Sequence, residues 1–91
     1  MRSVITVVGR DTVGILASVS GLCAKHGVSV IEVSQSILQD MFCMIMLTDV
    51  SGCDIPFTQF AEEMEQLGAN HEPTLKIHVM HEDIFNSMHR I

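Results

Sequence analysis

Asp11-Thr12-Val13-Gly14 joins an apolar, β-branched run, Val4-Ile5-Thr6-Val7-Val8, to a helical spacing that begins around Val13. A strand that passes through a short polar loop into a helix start offers a small-anion site. The first backbone N–H groups of a helix have no intrahelical partner and carry the positive end of the helix dipole, so a carboxylate or phosphate is favoured there. Gly9 and Gly14 bracket the loop and would let a ligand approach the main chain with no Cβ in the way. The same residues fit a plainer reading, in which the glycines only turn the chain and Asp11 or Thr12 is an ordinary N-cap.

The other residue types capable of chemistry are dispersed. Cys23 and His26 lie one helical turn apart, and His78 and His81 lie three apart on a strand; His71 and His89 complete the histidines. Residues three apart on a strand face opposite ways, so the second pair cannot share a metal without a bulge. These histidines are expected at the surface or the core edge, with neither metal nor cofactor. Cys43, Ser34 and Ser36 have no evident histidine to act as base, so no activated nucleophile is expected. Glu62, Glu63 and Glu65 read as a solvated helix face, and Met41, Met44, Met46, Met64 and Met80 as flexible filler of core or interface.

Charge and size narrow the function classes. Five Lys and Arg against eleven Asp and Glu give a formal charge of -6, which repels nucleic acid and anionic membrane and leaves no basic patch for counterion release. No apolar run approaches the roughly 20 residues that cross a bilayer, and the first residues form a strand pattern rather than a signal peptide. The expected location is the cytoplasm. Three cysteines without a C-x-x-C indicate reduced thiols rather than a disulfide framework or a thiolate zinc site. Ninety-one residues, 47% of them hydrophobic, suit one domain with a small core that oligomerisation would help.

The elements that must position the loop follow from periodicity. Ser3 to Val8 reads as a mostly buried strand, and Val13 to His26 as a helix with Ile15, Val19, Leu22, Cys23 and His26 on one face and Gly27 at its end. Val28 to Gln39 and Met41 to Val50 read as a hairpin turning at Gln39-Asp40. Pro56 suits the first turn of a second helix, in which Phe57, Phe60, Ala61, Met64 and Leu67 share a face and which Gly68 closes. Thr74 to His81 alternates as a last strand, and a short helix is expected over about 82–91 through Ile84, Phe85, Met88 and Ile91. The order βαββαβ predicts an α+β, ferredoxin-like fold, a four-stranded antiparallel sheet with two helices on one face. Both faces of the third strand, Phe42/Met44/Met46 and Cys43/Ile45/Leu47, are apolar, so a second copy of the chain is expected to cover the face away from the helices.

That fold serves unrelated functions, and the site has to separate them. Base stacking on the middle strands is excluded, since residues 40–47 hold one aromatic and no basic side chain and the chain lacks Tyr and Trp. Soft-metal transport is excluded by the missing C-x-x-C in the first loop. Acyl-phosphate hydrolysis is weakly represented: Arg10 is the one cation of the loop and the first three strands contain no Asn.

The block Ile5-Thr6-Val7-Val8-Gly9-Arg10-Asp11-Thr12-Val13-Gly14-Ile15-Leu16, with Gly27-Val28-Ser29-Val30, Ser34-Gln35 and Met41-Phe42-Cys43-Met44, resembles the ACT domain family. It is similar to stand-alone members related to the glycine cleavage system repressor and to the regulatory part of formyltetrahydrofolate deformylase. The resemblance covers nearly the whole chain, residues 1–91 as a single ACT domain, and implies a non-enzymatic regulatory homodimer that binds a small amino acid between subunits. Carried over, Asp11 would face the ligand's ammonium group, the N–H groups of Thr12, Val13, Gly14 and Ile15 its carboxylate, and Ser34 or Gln35 would contribute from the partner copy. Such a chain would regulate by binding a further protein or by reporting ligand through its own assembly. The rival readings are an interaction module that takes only protein partners, and an acyl-phosphate hydrolase.

Overall fold

The computed structural model describes residues 1–88. Strand β1 (Arg2–Arg10) leads into helix α1 (Ile15–Lys25), the hairpin β2 (Ser29–Leu38) and β3 (Met41–Asp49), helix α2 (Phe57–Asn70), strand β4 (Leu75–His81) and a short helix α3 (Glu82–Met88). The four strands form one sheet in the order β2-β3-β1-β4, antiparallel at every pairing. This is the ferredoxin-like βαββαβ arrangement expected from the sequence. The part of the expected C-terminal helix beyond residue 88, with His89 and Ile91, lies outside the described residues.

Strand alternation sorts the side chains. Ile5 and Val7 of β1, Phe42, Met44 and Met46 of β3, and Leu75 and Ile77 of β4 face the helices and form the core with Ile15, Val19 and Cys23 of α1 and Phe60 and Met64 of α2. Ser3 and Thr48, paired across β1 and β3, are buried on the same side and bond hydroxyl to hydroxyl at 2.6 Å. The two faces of β3 are thereby distinguished: Phe42, Met44 and Met46 are core, and Met41, Cys43, Ile45 and Leu47 lie on the open face. That face is not wholly bare, because α3 packs against β1 and β4 and Arg2 pairs with Glu82 at 2.7 Å.

Two boundaries differ from the sequence expectation, each for a physical reason. Helix α1 begins at Ile15 rather than Val13, because Gly14 sits at φ +90°, outside helical conformation. It ends as expected, with Gly27 at φ +75° and the Gly27 and Val28 amides donating to the Ala24 and Cys23 carbonyls, a Schellman closure. Helix α2 runs past Gly68 to Asn70. Gly68 does not stop the helix; it lets α2 press onto β4, where an added Cβ would stand 2.5 Å from the Leu75 carbonyl oxygen.

The hairpin is the least covered part of the sheet. Every residue of the edge strand β2 is exposed, and on its helix-bearing side Val30, Val33 and Ile37 remain 36–57% accessible because the helices do not reach across it.

Candidate functional site

The loop between β1 and α1 is short, held at one end and open at the other. The Asp11 amide donates to the Asp40 carbonyl at 2.9 Å, which ties the loop to the β2–β3 turn. Arg10 Nε lies 3.9 Å from an Asp40 carboxylate oxygen, with both side chains well exposed, so water competes for that pair and it holds the loop weakly. Gly14 occupies the N-cap position and no side chain caps the helix. The reading in which Asp11 or Thr12 is an ordinary N-cap is therefore not what the chain adopts.

The Ser18 amide donates to the Gly14 carbonyl at 3.0 Å as the first helical bond, so the amides of Ile15, Leu16 and Ala17 precede it. The first turn has no acidic residue, which leaves the positive end of the dipole uncompensated. A Cβ built on Gly14 meets nothing within 4 Å: the space before the helix start is open.

The proposed site residues separate into distinct roles. Asp11 is exposed, Thr12 is half-buried, and the Val13 side chain is 97% exposed at the loop apex. The Ile15 side chain belongs to the core, so only its amide remains for a ligand. Gly9 lies inside β1, and the room its missing side chain leaves is filled by Leu75, 2.6 Å from where a Cβ would stand. It serves packing, not ligand approach. Ser34 pairs with Ile45 and lies on the open face, whereas Gln35 pairs with Met44 and lies on the helix-bearing side, in one row with Val7 and Ile77. Neither is hydrogen-bonded to the loop within the chain, among the described residues.

Among the described residues, a groove of about 400 Å³ is lined by Leu22, Glu62, Glu63 and Leu67 among others, and another of about 240 Å³ lies between α2 and β4. Neither includes residues 11–15. The loop presents donors on an open surface rather than inside an enclosed cavity.

The residue pattern of this strand–loop–helix, in a βαββαβ order, also matches known proteins. An ACT domain model matches residues 2–78. The chain belongs to the ACT domain family. A UPF0237 protein of Clostridium perfringens is 45% identical over 91 residues, with full coverage of both chains. An ACT domain protein from Streptococcus pneumoniae superposes with a TM-score of 0.78 at 35% identity, covering 93% of each chain. A formyltetrahydrofolate deformylase from Burkholderia mallei shares the fold at a TM-score of 0.74 and 17% identity; the match covers 88% of this chain and 28% of that one. The ACT domain is a regulatory domain type.

A second constellation was not legible in the sequence. His26, at the C-cap of α1, is 7% exposed, and its Nδ1 and Nε2 each lie 2.7 Å from a carboxylate oxygen, of Asp54 and Glu63 respectively. The Phe60 ring meets the imidazole edge-on. Glu63 is thus a bonded partner and not simply part of a solvated face, while Glu62 and Glu65 are exposed. Cys23, one turn before His26, is buried, which pushes its thiol up to about 11. Among the described residues no three side chains are placed to hold a metal ion. No helix among them is long and apolar enough to cross a membrane.

Proposed function

We propose that this ACT domain is a non-enzymatic sensor that binds a small amino acid at the start of α1 and does so as a homodimer. The observation that carries the reading is the uncapped helix start at Gly14, with open space in front of it and the exposed Asp11 three residues before it in the chain. An amino acid presents one anionic and one cationic end. Its carboxylate fits the amides that precede the first helical bond, and its ammonium group fits Asp11. Phosphate would satisfy only the first of these.

The dimer completes the site in this reading. A ligand on the exposed loop keeps much of its surface in water, while bound small molecules are usually buried in concave sites. The edge of β2 carries unpaired backbone groups and exposed Val30, Val33 and Ile37, the kind of edge that pairs with another chain. Two copies joined along β2 would bring the helix-bearing side of one hairpin, with Gln35, toward the loop of the other. ACT domains as a class bind small-molecule effectors and often dimerise. The test is light scattering with and without ligand: the reading requires at least twice 10.0 kDa, and a monomer at tens of micromolar removes the shared site. A stable dimer with no response to any amino acid would favour a module that takes only protein partners, to which the exposed apolar β2 also lends itself.

A further inference from the structure

His26 is the one histidine whose two ring nitrogens both meet carboxylates among the described residues. A carboxylate carries no proton to give, so each 2.7 Å contact needs an N–H on the ring side, and a neutral imidazole has only one. The arrangement is complete only when the ring is an imidazolium. The groups it joins come from separate elements: His26 closes α1, Asp54 lies in the connection after β3, and Glu63 lies on α2. Asp54 reinforces the connection through its own amide, which donates to the His26 carbonyl at 3.0 Å.

We propose that His26, Asp54 and Glu63 form a proton-operated latch that fastens the C-terminal end of α1 and the connection after β3 to α2, and that opens when the imidazolium loses its second proton. The charged and titratable groups on the surrounding elements favour this operation. Cys23 on α1 is a neutral thiol through the relevant range, so it does not compete as an anion. Lys25 on the same helix acts on Glu63 and helps keep it ionised. From the connection come Cys53 and Asp54; from α2 comes Glu63, with Gln59 donating to its second oxygen at 3.3 Å. Asp54 is mostly exposed and Glu63 one-third exposed, so water weakens the Asp54 bond more and Glu63 is the firmer half.

The direction of the pH response follows from linkage. Hydrogen bonds to Asp54 and then Glu63 raise the His26 pKa above its ordinary 6.5, so the latch is fully present below that value and is lost as pH rises through the higher folded value. The bond from His26 holds Glu63 below its ordinary 4.5, so at the acid end the Glu63 half of the latch persists through 4.5 and is lost only as pH falls through the depressed value. Opening on the alkaline side leaves the Glu63 carboxylate without its cation, beside Glu62 and Glu65 in the groove between the two helices.

Residue-resolved NMR titration of the full chain tests this. The His26 ring should titrate above 6.5 with both nitrogens protonated below its midpoint, and amide protection at residues 23–28 and 53–55, corrected for intrinsic exchange, should fall across that same midpoint. Glu63→Gln, which keeps the shape and removes the charge, should lower the midpoint and abolish the coupled fall in protection. A His26 midpoint at or below 6.5 in the wild type, or protection that is unchanged through its titration, would overturn the latch, and both are read without any variant having to fold.

Discussion

Gln35 lies directly across the β2–β3 ladder from Met44, a core side chain only 1% exposed, and this pairing fixes Gln35 on the helix-bearing side of the sheet. Ser34, its neighbour, is consequently on the opposite face. If the partner's strand completes the site, Gln35→Ala should weaken ligand binding by about 1 kcal/mol, the scale of one hydrogen bond, and Ser34→Ala should leave it unchanged. Calorimetry on the two variants separates them, and the reverse order would place the ligand on the open face.

Asp11→Asn tests the counter-charge. No side chain caps α1 and Asp11 is exposed, so the variant should fold as the wild type does. Removing a charge-assisted bond should weaken amino-acid binding by about 1.5–3 kcal/mol, which calorimetry reads directly. Wild-type affinity would remove Asp11 from the site.

Gly14 combines two demands that a single substitution exposes. At φ +90° any side chain strains the backbone, so Gly14→Ala should lower stability by about 1–2 kcal/mol in denaturant unfolding without ligand. Its Cβ would also project into the open space before the helix start, so the ligand response should fall further than the stability loss explains.

Much of this was legible in the sequence, and the exceptions have physical causes. Alternation and helical spacing located the strands and helices most plainly where one face is buried, as in Leu75/Ile77/Val79 and Phe60/Met64. Periodicity could not say which apolar face of β3 meets the helices, since Met44/Met46 and Cys43/Ile45 are equally apolar; the register with Val7 and Ile5 decides it. Gly9 and Gly68 read as a ligand approach and a helix stop, but each answers to the neighbouring strand β4, a contact distant in sequence. The loop 11–14 was visible as a strand-to-helix junction. The His26, Asp54 and Glu63 cluster was not, because 28 and 37 residues separate His26 from Asp54 and Glu63 and no local pattern joins them.

The resolved faces of β3 redirect the test of assembly. Met44 or Met46 replaced by Glu would put an unpaired carboxylate in the core and unfold the chain rather than dissociate it. Val33→Glu with Ile37→Glu, both on the exposed β2 edge, should instead give a folded monomer by light scattering and circular dichroism, while Ile45→Glu on the open face should leave a β2-paired dimer intact. The opposite result would place the partner on the open face of the sheet.

The Ser3–Thr48 hydroxyl pair is buried and mutually satisfied at 2.6 Å. Thr48→Val leaves the Ser3 hydroxyl without its partner, and should cost about 1–3 kcal/mol. Ser3→Ala combined with Thr48→Val should cost less than the sum of the single changes, a coupling that a double-mutant cycle in urea measures.

Thermal unfolding of the wild-type chain in the presence of each of the twenty amino acids, inorganic phosphate and zinc bears most directly on ligand binding at the loop. At about 100 times its dissociation constant a true ligand adds roughly 2.7 kcal/mol, which raises the midpoint of a domain this small by on the order of 10 °C. One or a few small amino acids should produce that shift while phosphate and zinc do not; stabilisation by phosphate or zinc alone, or no shift with any amino acid, would contradict an amino-acid sensor.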